Sequence, residues 1–152
     1  TKSPISNRYV SKKKNIEHLI KLGSLNWEKR VDVNSAKLSK HFLSKAIDLD
    51  SKNPEITALF SRSCYFNGRY INYDKPEFAD SLFIQGFTAA WKFITASEEF
   101  QIGFQSIQGD SVAKNIAGLE RLSQDMLPVA YWWAENFTSY LLTKPCSKEI
   151  GK

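Results

Sequence analysis

The chain is poor in the residues that most often carry chemistry. It holds two histidines and two cysteines among 152 residues, and Cys64 and Cys146 form no CxxC pair. Neither His18 nor His41 belongs to an HxxE or HExxH pattern, which a metal site on a helix would need. The seven glycines are scattered and form no phosphate-binding loop. We therefore expect no catalytic residues, no metal and no cofactor, and a protein class other than an enzyme.

Long apolar runs are also lacking. No stretch approaches the ~18 apolar residues of a membrane span, and no signal peptide is recognisable. The first residue is Thr1 rather than methionine, so we expect a processed or trimmed product, for which a missing signal says little about location. We expect Cys64 to be a buried helical residue, which argues against a disulfide with Cys146.

Positive charge is concentrated at the start of the chain. Residues 1–45 carry eleven Lys and Arg against three acids, whereas residues 46–152 carry ten against thirteen. Residues 1–13 are predicted to be a flexible basic lead-in. Such an arm can meet an anionic lipid surface or nucleic acid, or it can be a solvated tail. No aromatic side chains interleave with the lysines of residues 12–14, so we expect no nucleic-acid partner.

Apolar residues recur at helical spacing along most of the remaining sequence. We predict that Gly23 ends the first helix and that Gly68 lets the chain turn after the third. No segment alternates with a period of two, so no sheet is predicted. The sequence predicts an all-α fold with one domain over residues 14–143 and a polar tail at 144–152. The predicted helices cover residues 15–22, 34–49, 54–67, 76–96, 98–107, 112–122 and 125–142.

The longest predicted helix, residues 76–96, has only a narrow polar stripe. An apolar arc wider than half the circumference indicates burial on two sides. Gly86 interrupts this helix at a cost of about 1 kcal/mol relative to alanine. We expect Gly86 to let another backbone approach closely.

Two predicted helices carry aromatic residues at the margins of their apolar faces. At about 100° per residue, Trp133 is central to the inward stripe of the last helix. Tyr131 and Trp132 fall outside that stripe, and Trp132 shares an edge with Asn136. Trp91 lies at the margin of the long helix's apolar arc. These residues either pack against a neighbouring helix or form a groove for an apolar ligand or partner helix, so they are the candidate binding residues.

Residues 53–70 resemble the first helix of a tetratricopeptide repeat. Phe60 takes a large apolar position, and Gly68 and Tyr70 take the turn positions. Residues 46–54 resemble the end of such a repeat, except that Ser51 stands where proline is expected. The resemblance implies tetratricopeptide-like helical hairpins packed as a short irregular α-solenoid or bundle.

Residues 25–142 as a whole are similar to the T-component family of TRAP transporters, in its N-terminal half only. Trp27 opens a segment like the family's WxKRxD. Gly86 lies in a helix patterned like LYLRGRxYALRAL, and Pro128 lies in a segment like DVPALYWTAAAWG. Gln85 replaces the family's arginine, so a role of that arginine does not carry over. The family's members are longer lipoproteins, and this chain has no lipid-attachment cysteine near its start.

This resemblance implies a non-catalytic periplasmic scaffold. It would dock with the substrate-binding protein of a transport system, contribute to an apolar ligand path, form homo-oligomers, and meet the membrane only through a lipid anchor that this chain does not show. The alternative is a cytoplasmic tetratricopeptide-type adaptor that binds a peptide or an acidic protein partner. A third hypothesis is a lipid or nucleic-acid binder that uses the basic arm.

Overall fold

The computed structural model describes residues 4–144, which form helices joined by short connections and contain no strand. The prediction of an all-α, bundle-like fold is confirmed. A π-helical turn at Asn67–Ile71 follows the third helix, and a short 3₁₀ turn at Gln124–Met126 precedes the last. The helices are α1 (Pro4–Glu28), α2 (Val33–Leu49), α3 (Pro54–Phe66), α4 (Pro76–Ala96), α5 (Glu98–Gln105), α6 (Ser111–Leu119) and α7 (Leu127–Leu142).

Each helix packs mainly on its neighbours in the chain, with one exception. α1 pairs with α2, α2 with α3, and α3 with α4, while α5 pairs with α6 as a second hairpin. The exception is α7, which returns to pack against both α3 and α4. The largest cluster of the core lies around Phe100, Ile94 and Val129, which are almost completely buried, and smaller clusters lie around Ile56 and Leu43.

Capping side chains and prolines mark where several helices begin. Asn53 caps α3 because its Oδ1 accepts hydrogen bonds from the backbone N–H groups of Glu55 and Ile56, at 3.0 and 3.3 Å. The Ser97 hydroxyl oxygen accepts from the backbone of Phe100 at the start of α5. Proline suits the first turn of a helix, and α4 begins at Pro76 and ends at Ala96 as predicted.

The first helix is longer than predicted in both directions. α1 begins at Pro4 rather than at residue 15, so most of the predicted loose lead-in is helical, and it continues through Gly23 to Glu28. Gly23 is an interhelical contact rather than a helix end. The Ser39 hydroxyl donates to the Gly23 carbonyl at 2.8 Å, and a β-carbon on Gly23 would lie 2.8 Å from Leu43 Cγ.

The prediction that Gly68 ends the third helix is also wrong. Gly68 is buried within the π-helical turn that prolongs α3. A β-carbon there would lie 2.6 Å from the Phe83 ring of α4, so glycine makes room for packing. Tyr70 in the same turn is 56% exposed and packs its ring edge against Tyr65.

Four helix contacts, α1–α2, α2–α3, α3–α4 and α3–α7, share one feature: a side chain that donates a hydrogen bond to a backbone carbonyl of the other helix. Carbonyls within helices already accept one bond, and their second lone pair stays available. Buried polar groups need such partners, and small residues let the helices approach closely enough to provide them. The pairs are Ser39 to Gly23, Asn67 to Ala36, Ser61 to Gly86, and Asn136 to Ser61, at 2.8 to 3.0 Å.

Candidate binding surface

The structure separates the predicted binding residues instead of bringing them into one site. Trp132 packs beside Tyr65 of α3, with ring centroids 5.6 Å apart, and Tyr131 lies next to it, 56% exposed. Trp91 lies on the other flank of α7, where it stacks on Trp133 at 5.2 Å. The predicted set therefore describes two different surfaces.

Asn136 belongs to neither surface, since its side chain is completely buried. Its Nδ2 donates to the carbonyl of Ser61 in α3 at 3.0 Å and to that of Trp132 at 2.8 Å. The amide fits directly over Gly86 of α4, where a β-carbon would lie 2.5 Å from its Cγ and Oδ1. The predicted close approach at Gly86 thus occurs, but a side chain makes it. Asn136 locks α3, α4 and α7 together, and its assignment as a binding residue is corrected.

A row of partly exposed aromatic side chains runs along the α4–α7 contact, and we call it the aromatic groove. Its rings pack in sequence at short distances: Trp133 stacks on Phe137 at 5.6 Å with 7° between the ring planes, and Phe87 meets Phe137 edge-on at 5.5 Å. The groove consists of Phe87, Trp91, Trp133, Phe137 and Tyr140.

The aromatic groove encloses an open depression of about 460 Å³, and every residue that lines it comes from α4 or α7. Thr88, Lys92 and Thr95 complete its lining, and Thr88 and Lys92 are exposed. Phe137 is 36% exposed. The lining is therefore mostly aromatic, with one charged side chain, Lys92.

Phe137 and Phe87 were not among the predicted binding residues. The available signal was the spacing of four residues between Phe87 and Trp91 and between Trp133 and Phe137, which places each pair on one helix face. Nothing in the sequence tells which of two faces an adjacent helix covers.

The remaining chemistry-bearing residues form no cluster. His18 and His41 are both exposed, and the described residues contain no group of three or more side chains suited to hold a metal ion. Burial raises the pKa of the Cys64 thiol to about 12, which keeps it neutral. No helix within residues 4–144 has the length and apolarity needed to cross a lipid bilayer.

No family model, no curated protein and no solved structure matches the chain. The similarity to the T-component family stays a prediction, and the function of this domain must be inferred from its own geometry.

Proposed function

We propose that this domain is a non-catalytic helical scaffold that binds an apolar helix of a protein partner in the aromatic groove. The supporting observation is the row of five aromatic side chains that α4 and α7 leave partly open to solvent. Aromatic residues are enriched where proteins meet, and an amphipathic helix laid into an apolar groove is a recurring mode of recognition.

The packing of α7 supports this proposal. α7 lies in the groove between α3 and α4 on one side of the bundle. The aromatic groove is the equivalent groove between α4 and α7 on the other side, and it has no helix over it within the described residues. A helix placed there would pack on α4 and α7 in the way that α7 packs on α3 and α4. Proteins built from stacked helical hairpins add successive helices in this manner.

The identity of the partner rests on sequence resemblance alone. The T-component similarity over residues 25–142 predicts the substrate-binding protein of a transport system, in the periplasm. The adaptor hypothesis predicts a cytoplasmic peptide or acidic protein instead. Both interpretations use the aromatic groove. One crosslinking experiment can therefore test whether a protein binds there and then identify that protein.

A photo-crosslinking amino acid placed at position 88 tests the proposal, with position 81 as the matched control. Thr88 lies in the aromatic groove, whereas Ser81 is an exposed residue of the same helix in the cleft toward α2. We expect specific adducts from position 88 in cells and few from position 81. A partner identified in this way is then purified and titrated against Thr88→Glu and Ser81→Glu.

Thr88→Glu should weaken binding at least tenfold, because it buries a carboxylate among aromatic rings in the complex. Ser81→Glu should leave the affinity unchanged. Equal adduct yields from the two positions would contradict the proposal. Adducts only between copies of this chain would reassign the aromatic groove to self-association.

A further inference from the structure

Arg62 of α3 is a partly buried arginine with no carboxylate of the described residues in an ion pair with it. Its guanidinium carbon lies 3.9 Å from the centroid of the Trp27 ring. Its Nε is buried without a hydrogen-bond partner, and no carboxylate of the described residues lies within ion-pair distance of it. A buried donor without a partner costs free energy, so the Nε–H is an unsatisfied group in this fold.

A second arginine lies near Arg62 and makes a positive charge on Arg62 less favourable. The guanidinium of Arg30 lies 4.7 Å from the same Trp27 ring. Burial, and then the charge of Arg30, lower the pKa of Arg62, while the charge of Glu28 only partly opposes them. The tryptophan face holds both cations, but it neutralises neither.

Arg62 also forms one wall of a cavity between α3 and the start of α7. This cavity has a volume of about 520 Å³, which suits a small ligand or a few residues of a peptide. Two carboxylates, Glu55 and Asp125, lie at the same cavity; they disfavour any anion there, and a multiply charged anion most. The apolar part of the lining consists of Pro54, Ala58, Leu59, Pro128 and Trp132.

We propose that this cavity binds a single carboxylate carried on an apolar body, with the carboxylate on the Arg62 guanidinium and the body against Trp132 and Leu59. The fork of an arginine matches a carboxylate in two parallel hydrogen bonds. Trp27 orients that fork by stacking beneath it. The ligand is a free small acid or an acidic residue of an apolar peptide, and both present the same chemistry to the site.

Two-dimensional ¹⁵N NMR of the full chain tests the proposal, because the Arg62 Nε–H and the Trp27 indole N–H give separate signals. We expect saturable shifts of both signals with 4-phenylbutyrate, with acetyl-Phe-Glu-amide, or with both. The neutral analogue 4-phenylbutyramide and inorganic phosphate at equal ionic strength should give none. Saturation by one probe alone identifies whether the free acid or the peptide is the source.

Two substitutions separate binding from folding. Arg62→Gln should weaken the carboxylate affinity by about tenfold or more, as expected when hydrogen bonds to a charged group are lost. Arg62→Lys keeps the charge without the fork and should also bind more weakly, which keeps the test valid if Arg62→Gln does not fold. The exposed Arg69→Gln is the control and should bind like the unaltered protein.

Three results would overturn the proposal. The first is the absence of saturable shifts from either carboxylate probe at concentrations well above ~1 mM, the range of weak specific sites. The second is an unchanged affinity in a folded Arg62→Lys or Arg62→Gln variant. The third is equal binding of phosphate, which would show a general anion site.

Discussion

Replacing Gly86 with alanine tests the central packing contact of the fold. Alanine favours a helix by about 1 kcal/mol over glycine, so local propensity predicts that Gly86→Ala stabilises the protein. The tertiary structure predicts the opposite, because the new β-carbon would lie 2.5 Å from the Asn136 side chain. The sign of the change in the free energy of unfolding therefore separates the two arguments.

The size of the effect follows from the contacts that must be disturbed. Forcing a methyl group into a packed core costs about 1–3 kcal/mol. Displacing Asn136 also breaks its hydrogen bond to the Ser61 carbonyl, and leaving a buried polar group unpaired costs about 1–3 kcal/mol. After the helix-propensity gain, we expect a net loss of about 1–5 kcal/mol, or roughly 2–20 °C in Tm for a domain of this size.

Urea denaturation followed by circular dichroism measures the change, with Ser81→Ala on the exposed face of α4 as a control that should stay near the parent stability. The double variant with Asn136→Ala sharpens the test, because removing the amide makes room for the β-carbon. In that background Gly86→Ala should cost less than about 1 kcal/mol, since residues in contact are not additive. A Gly86→Ala protein as stable as the parent would refute the reasoning.

Two further predictions concern Cys64 and Asn53. Burial raises the folded-state pKa of Cys64 to about 12 from 9.0. Keeping the thiol neutral therefore contributes to stability below pH 9. This contribution is lost as the pH rises from 9 towards 12, by up to about 1.4 kcal/mol per pH unit. The Cys64→Ala variant should lose stability less steeply over that window, and an equal slope in both proteins would contradict the assignment. Asn53→Ala removes the cap of α3 and should lower the free energy of unfolding by about 1 kcal/mol, measured by urea denaturation; Asn53→Asp, which keeps the capping oxygen, should restore it.

Helix starts were predictable where a local signal sets them. Asn53 with Pro54 and Lys75 with Pro76 mark the starts of α3 and α4, since capping and the fixed proline backbone act within one turn. Two helix ends predicted from glycine were wrong. Gly23 and Gly68 were assigned to helix ends from their conformational freedom, but both lie inside helical segments where a side chain of another helix needs the space.

For the candidate surfaces too, the sequence pattern predicted some features and helix packing decided the others. The aromatic content of α4 and α7 was visible, and so was the off-stripe position of Trp91, Tyr131 and Trp132. Which of those rings lie together depends on how α7 is rotated against α3 and α4. That rotation is set by Asn136, a polar residue that the hydrophobic pattern placed outside the core.

The sequence by itself determined an all-α chain, most of its helix boundaries, and the scarcity of residues suited to catalysis, because these depend on periodicity, caps and composition. Only the tertiary structure decided that Asn136 is the buried centre of the α3–α4–α7 contact, that the aromatic residues of α4 and α7 line an open groove, and that Arg62 lies on Trp27 without an anion. The physical reason is that a helical pattern fixes which residues share a face. The neighbouring helices alone decide which face is covered.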